Sequence, residues 1–334
     1  MSKRVPKGWV VPNPEKYIVQ MENLSSEEVY LSPEGGQVAV LHSNSLDVCR
    51  GESWGILGRE AFELELLLQI MGCVRPYASG RCRLVERGMM RKKRKILPHV
   101  FFVGDSGMAV PNMNVLEYLM FATQYTSISA RERQIAFLTS MLTSDCYEWC
   151  MAPVKALSTQ ERAVLSLLAA SFSNALLIIF PYFFQDTPPA LRRMIAYVAK
   201  ALEQKGAALV LGACDPNLVQ ATCTRCAFLI HGSIQQKGTV EELQHKWDKR
   251  DFVIRASDQT ALQSALRERL PDCDIRLRDR YVDIYHGSSG ALLQDQFLAL
   301  IADLDIPMDS IRKSKKTLQN AFSEAHNDLS DELL

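Results

Sequence analysis

The sequence predicts an α/β fold: a largely parallel sheet with antiparallel β and helical parts beside it, followed by a small α+β unit. Two observations predict the main fold and a third the division. From Gly51 to Ile230, short apolar runs that read as buried strands alternate with longer helical patterns, as in strand–helix–strand units. At the head of that series, Gly51-Glu52-Ser53-Trp54-Gly55-Ile56-Leu57-Gly58 reads as a buried strand ending in a turn, and residues 59–72 as a helix closed near Gly72. Beyond about Trp247 the texture changes to half-exposed strands and amphipathic helices. The 334 residues, 47% hydrophobic and 23% charged, suffice for one large domain and a smaller one.

Taken in order, residues 1–16 are rich in Pro and Lys and are expected to be irregular. Strands are expected at 17–21, 37–41 and 45–48, with a turn at 33–36. Residues 81–95 carry Arg81, Arg83, Arg87, Arg91, Lys92, Lys93, Arg94 and Lys95. Nucleic acid or anionic lipid is the functional reading of that run. It has no interleaved aromatic residues, as a single-strand binder would want, so a solvated hairpin edge is preferred. A buried strand is expected at 100–103 and helices between 114 and 150. Leu157-Ser158-Thr159-Gln160-Glu161-Arg162 opens the next helix. Residues 163–185 hold no charge and are long enough to span a bilayer, but Ser173-Asn174 splits them into a helix and a buried strand at 176–180. Pro188-Pro189 starts a helix running to about Gln204. A strand at 207–212, a helix at 218–223 and a strand at 227–231 complete the core. Strands at 252–255 and 281–285 with helices at 261–270 and 292–304 form the second domain, 246–326. Residues 327–334 are an acidic, frayed tail.

The formal net charge of +0 gives no bulk field toward nucleic acid or an anionic membrane. The nine cysteines are odd in number and scattered, and no apolar signal segment opens the chain, so they read as reduced thiols of a cytosolic protein. Cys223-Thr224-Arg225-Cys226 has the spacing of a redox or zinc pair, but no two further ligands match it, and it reads as core thiols. Cys214 has no neighbouring cation to lower its pKa and reads as inert. His231 reads as structural, and Cys146, Tyr147, Trp149 and Cys150 as packing. No metal site is expected.

The strand–turn–helix frame at 51–72 is the frame of a phosphate-binding loop. Such a loop needs glycines so that backbone N–H groups can face phosphates, a Lys for the outer phosphates, and a Ser or Thr for Mg²⁺. Between Gly58 and Gly72 there is no glycine, Lys, Ser or Thr. Glu60, Glu63 and Glu65 stand there instead and repel a polyphosphate.

Residues 17–245 resemble the nucleotide-binding subunits of ATP-binding cassette (ABC) transporters. Residues 51–58 look like the lead-in to that family's phosphate loop, and residues 157–161 like an eroded signature motif containing Ser158. Residues 176–180 look like the strand of its second nucleotide motif, and residues 230–243 like its closing segment. Residues 314–322 resemble the C-terminal appendage of the drug- and lipid-exporter branch. Carried onto this chain, the resemblance puts Leu64 at the phosphate-loop Lys and Glu65 at the Mg²⁺-binding Ser/Thr. It puts Asp105 or Gly104 at the Gln, Phe180 at the metal-associated Asp, Pro181 at the catalytic Glu and Cys214 at the switch His. Tyr30 falls at the adenine-stacking aromatic, and Gly58 opens the loop.

The resemblance implies an ABC-type fold with a helical subdomain at about 106–172. It also implies a degenerate ATP-binding subunit, a pseudo-ATPase with no catalytic residues, no metal and MgATP only if a vestigial site still binds. The implied partners are a membrane permease and an intact ATPase subunit (a heterodimer), or a second copy (a homodimer), and no nucleic acid. The implied place is cytoplasmic, peripheral on the inner face of the cell membrane. A groove for the permease is expected from residues 101–125, near Asp105 and Met113. Two other readings are a residual or composite-site ATPase, and a soluble regulator without a permease.

Overall fold

Val19, Met21 and Leu24 point inward along β1 (Tyr17–Ser25), which bulges where Asn23 takes a positive φ. The computed structural model describes residues 17–31, 36–104, 112–287, 294–304 and 306–331. After β1 come the short hairpin strands β2 (Val29–Leu31) and β3 (Gln37–Ala39), then β4 (Asn44–Cys49) and β5 (Ser53–Leu57). Helix α1 (Ala61–Met71) follows, then β6 (Ser79–Leu84), β7 (Arg87–Gly88), α2 (Met89–Ile96) and β8 (Val100–Phe102). The helical part holds α3 (Val115–Ala122), α4 (Ala130–Thr143) and α5 (Thr159–Ala170). The chain returns through β9 (Leu177–Tyr182), α6 (Pro189–Lys205), β10 (Ala208–Ala213), α7 (Pro216–Thr222), β11 (Arg225–Ile230) and β12 (Ser233–Thr239). The uncharged stretch 163–185 is thus a helix and a strand, and among the described residues no helix is long and apolar enough to cross a membrane.

Two sheets enclose α1. The larger has the order β12-β11-β5-β10-β9-β8, parallel except for β12. The smaller is antiparallel, β4-β1-β6-β7. Strand β5 is buried at all five positions because both of its faces are covered. Helix α1 buries Leu64, Leu66, Leu67, Leu68, Ile70 and Met71. A helix apolar on nearly every side belongs in the interior, and the core around α1 draws on both sheets.

A polar staple joins the sheets. Asn44, fully buried in β4, donates its Nδ2 to the Gly232 carbonyl at 2.8 Å and accepts from the Ile234 N–H at 2.8 Å. The His42 N–H also reaches the Gly232 carbonyl, at 3.0 Å. Gly232 has φ +74°, and a Cβ there would stand 1.9 Å from the Val40 carbonyl oxygen. The β11–β12 turn therefore needs glycine for its conformation and for the close approach.

The structure divides into two compact units after Val240. The second contains most of α8 (Val240–Trp247), then β13 (Arg250–Ala256), α9 (Gln259–Arg269), β14 (Asp274–Arg278), β15 (Tyr281–Tyr285), α10 (Gln294–Ala302), β16 (Met308–Lys313) and α11 (Leu318–Asp331). Its antiparallel order β14-β15-β13-β16 and βαββαβ succession are those of a ferredoxin-like unit. Its core centres on Phe252 stacked against Phe297 at 4.0 Å between ring centroids. Fully buried Asp248 accepts from the Thr317 N–H at 2.7 Å and the Asn320 amide at 3.1 Å, fixing the start of α11.

Several expectations need correction. The strand expected at 37–41 ends at Ala39. The strand expected to be buried at 100–103 is the sheet's edge; it pairs only with β9, and Phe101 is 40% exposed. The basic run is a hairpin only as far as Gly88; residues 89–96, anchored by buried Met89 and Ile96, are helical with a kink at Lys92, whose φ of −130° and ψ of 28° are not helical. The tail is ordered through Asp331, and Asp328 pairs with Lys249 at 3.5 Å. Residues 332–334, most of the turn at 33–36, and the irregular segment 1–16 lie outside the described residues.

Gly232→Ala is expected to cost about 1–3 kcal/mol. Thermal unfolding should show a midpoint lower by several degrees; an unchanged midpoint contradicts the staple.

Candidate functional site

The parallel strands deliver their C-terminal ends to one edge of the large sheet, where open α/β sheets bind ligands. At its centre, only Gly58, Arg59 and Glu60 separate β5 from α1. The Leu64 N–H already donates to the Glu60 carbonyl at 3.2 Å. Residues 61–65 are therefore the opening of a helix and do not form a loop with inward-facing amides. Leu64 is fully buried and folds back over Gly58, where a Cβ would lie 3.0 Å from the Leu64 Cγ. An isobutyl group fills the concave side of the turn.

The three acidic residues have different surroundings. Glu60 is the helix N-cap and makes no side-chain cap bond. Glu63 is half-buried, and its Oε2 accepts from the Gly232 N–H at 2.9 Å. Burial raises its pKa above the ordinary carboxylate value, and the Gly232 bond opposes that rise. Exposed Glu65 accepts from the Gln69 amide at 2.8 Å.

Beside this turn, β9 ends in aromatics. Phe180 is fully buried and lies 5.4 Å from the Tyr182 ring; Tyr182 lies 4.8 Å from Phe184. Pro181 sits in register with Gly212 of β10. The Tyr182 hydroxyl donates to Gln160 at 3.3 Å, and burial pushes its pKa up to about 12. Glu65, Gly104, Arg162, Phe180, Pro181 and Phe184 help to line a cleft of about 320 Å³. The site thus brings together Glu65, Gly104, Phe180 and Pro181 of the expected residues. The lining Phe102 lies within the groove expected from residues 101–125; Arg162, Phe183 and Phe184 were not foreseen, although the run Phe180-Pro181-Tyr182-Phe183-Phe184 is plain in the sequence.

The other expected residues sit elsewhere. Leu64 lies beneath the turn and does not line the cleft. Cys214 is buried just after β10, and burial raises its pKa further than nearby Glu60 does. Tyr30 is 49% exposed on the β2–β3 hairpin, outside the cleft. Ser158 caps α5: its Oγ accepts from the Glu161 N–H at 3.3 Å while Glu161 accepts from the Ser158 N–H at 2.7 Å. Asp105 lies outside the described residues. All nine cysteines are free, and burial pushes the Cys223 and Cys226 thiols far up, as for inert core groups. Among the described residues, no group of three or more His, Cys, Asp or Glu could hold a metal ion.

A second, larger cleft of about 560 Å³ opens between β8, α3 and α5. Phe101, Phe102, Tyr118, Tyr125, Ala169 and Asn174 are among its walls, and Tyr125 is 93% exposed. Met113 lies off this cleft; its carbonyl accepts from the Val154 N–H at 3.0 Å.

No protein-family profile matches the chain. It is similar to a methionine import ATP-binding protein of Oceanobacillus iheyensis, 21% identical over 306 residues, which cover 89% of the chain and 84% of the relative. It is also similar to human ATP-binding cassette sub-family A member 2, 20% identical over 328 residues, 95% of the chain but only 13% of that much longer protein. An import protein and a sub-family A protein are matched at nearly the same identity, so the likeness supports the cassette and does not single out a branch. Among solved structures, the ATP-binding subunit of an ABC transporter aligns with a TM-score of 0.52 at 16% identity, over 69% of the chain and 92% of that subunit. CbiO1 of Clostridium perfringens, part of an ABC transporter complex, aligns with a TM-score of 0.52 at 15% identity, over 77% and 97%. A dimeric bacterial ABC transporter cassette gives 0.51 at 16%, over 66% and 98%. The fold is that of an ATP-binding cassette.

Two outcomes follow from the junction. Leu64→Ala should cost about 2–5 kcal/mol by cavity formation, read by urea unfolding; a change under about 1 kcal/mol contradicts the packing. Glu63 binds a proton more tightly folded than unfolded. Its contribution is therefore fully present below the ordinary carboxylate pKa of 4.5 and is lost as pH rises through the raised folded value. Glu63→Gln keeps an acceptor for Gly232. The variant should gain stability relative to wild type as unfolding is followed upward from pH 4.5, and a constant difference across that range contradicts the assignment.

Proposed function

We propose that the chain is an ATP-binding-cassette subunit of a transporter that has lost nucleotide turnover and serves as a docking and pairing subunit. The observation that carries this is the β5–α1 junction. Helix α1 starts at Ala61 and Leu64 folds back over Gly58; in this reading its side chain takes the space a phosphate needs. Phosphoryl transfer depends almost wholly on positioning and charge neutralisation. At this edge Phe180 offers no metal ligand, Pro181 cannot polarise water, and Glu65 adds negative charge. Each lost hydrogen bond to a charged group costs about 1.5–3 kcal/mol, so the combined losses remove most triphosphate affinity. These residues do not fit a magnesium nucleotide.

The larger cleft supports docking. It is an open, largely apolar groove with aromatic walls, and such grooves take a partner helix by its apolar anchors without nucleotide chemistry. In this reading a cytoplasmic helix of the permease fills it, and the subunit lies on the inner face of the membrane opposite an intact ATPase subunit. Ser158, which caps α5, and the exposed start of that helix would face that second cassette in this reading.

Purified protein should release no phosphate from ATP, and its thermal midpoint should not rise with millimolar MgATP. A ligand at 100 times its Kd stabilises by about 2.7 kcal/mol, so a Mg²⁺-dependent rise of several degrees contradicts the reading. Tagged protein should co-purify with a permease and an intact ATPase subunit from solubilised membranes. Phe101→Asp and Tyr125→Asp, both at exposed positions, should abolish that. Recovery of the wild-type protein alone overturns docking and favours a soluble regulator.

A further inference from the structure

The chain's formal net charge is +0, yet residues 81–95 hold eight basic residues against the single acid Glu86. The structure gathers them on two adjoining elements, the β6–β7 hairpin and α2. Met89 and Ile96 anchor α2 in the core, while Arg91, Lys92, Lys93, Arg94 and Lys95 are all exposed. Arg81 pairs with Glu22 at 3.1 Å, but Arg91, Lys92, Arg94 and Lys95 form no ion pair among the described residues. Arg83 and Arg87 are held by backbone carbonyls, Glu86 at 3.2 Å and Lys95 at 2.7 Å. Between the two elements lies an open concavity of about 550 Å³, with Arg81, Arg83, Arg87, Arg91 and Lys92 on its walls beside the acid Glu86 and the half-buried ring of Tyr77. Two apolar side chains flank the cations: Met90 is 56% exposed and Leu97 46%.

We propose that this hairpin–helix surface binds the anionic headgroups of a phospholipid membrane. Convergent guanidinium and ammonium groups in a shallow concavity suit phosphate esters. A short basic helix with exposed apolar neighbours suits the headgroup boundary, where cations meet phosphates and apolar side chains enter the upper acyl region. A nucleic acid would use the cations but leave Met90 and Leu97 in water, and no exposed aromatic interleaves with the run to stack on bases. The patch also continues through Leu97 into β8, whose Phe101 lines the larger cleft. The inference rests on the docking reading for which membrane is meant, but not for the binding itself. The surface gives the subunit a lipid contact beside its protein contact.

The test is co-sedimentation of the full chain with vesicles that contain no permease. One set is phosphatidylcholine alone, the other phosphatidylcholine mixed with phosphatidylglycerol. Binding is expected to the mixed vesicles only and should weaken with salt. R91Q/K92Q/R94Q/K95Q should weaken it on the order of a hundredfold or more, with an unchanged thermal midpoint because every replaced side chain is exposed. M90S/L97S should reduce the binding that survives high salt. Equal binding to both vesicle types, no binding to either, or tighter binding to a DNA duplex than to the mixed vesicles overturns the proposal. Phe101→Asp and Tyr125→Asp should leave vesicle binding intact, so failure of the lipid contact and failure of permease docking are separable.

Discussion

The contact between Leu64 and Gly58 governs the nucleotide edge of this fold. Leu64 belongs to a helix packed between two sheets and is held there by Leu67, Leu68 and Met71 of the same core. The helix begins at Ala61, and the Leu64 N–H is already taken by the Glu60 carbonyl. A lysine in place of Leu64 would have to carry its charge into that core or unwind the first turn, and either is costly. In the proposed reading, the same packing that stabilises the sandwich closes the anion site.

Electrostatics follow the same division. Carboxylates at Glu60, Glu63 and Glu65 gather where a phosphate needs positive charge, and one of them has been turned to structural use. Glu63 joins the start of α1 to the β11–β12 turn, which Asn44 ties to the antiparallel sheet. Three layers thus meet at Gly232. At this edge Arg59 stands in the junction and Arg162 lines the cleft, while the densest cationic run lies on the β6–β7 hairpin and α2.

Much of this was legible in the sequence. The run around Trp54, the uncharged helix before Asn174 and the strand before Pro181 are strongly patterned, and each formed where periodicity put it. Gly58, Leu64, Glu65, Phe180 and Pro181 were singled out by the family resemblance, and four residues of the expected set meet at one cleft. Other features were hidden because their signal is tertiary. Strand β16 has no apolar alternation, and the alternation in β14 is carried by only Ile275 and Leu277 between charged residues. Helix α2 is set by two anchors seven positions apart within a run dominated by charge. The capping role of Ser158, by contrast, is local, and the Ser158–Glu161 spacing that signals it stands in the sequence. The aromatic lining of the small cleft depends on strand β9 extending past its neighbour β8, a matter of register.

The central claim is that residues 61–65 are helix and not a nucleotide-responsive loop. Amide hydrogen exchange along this stretch tests it most directly. The account predicts that the amides from Leu64 onward are protected like the body of α1, and that MgATP changes none of them. Fast exchange from Gly58 to Glu65 that slows on adding MgATP would contradict it.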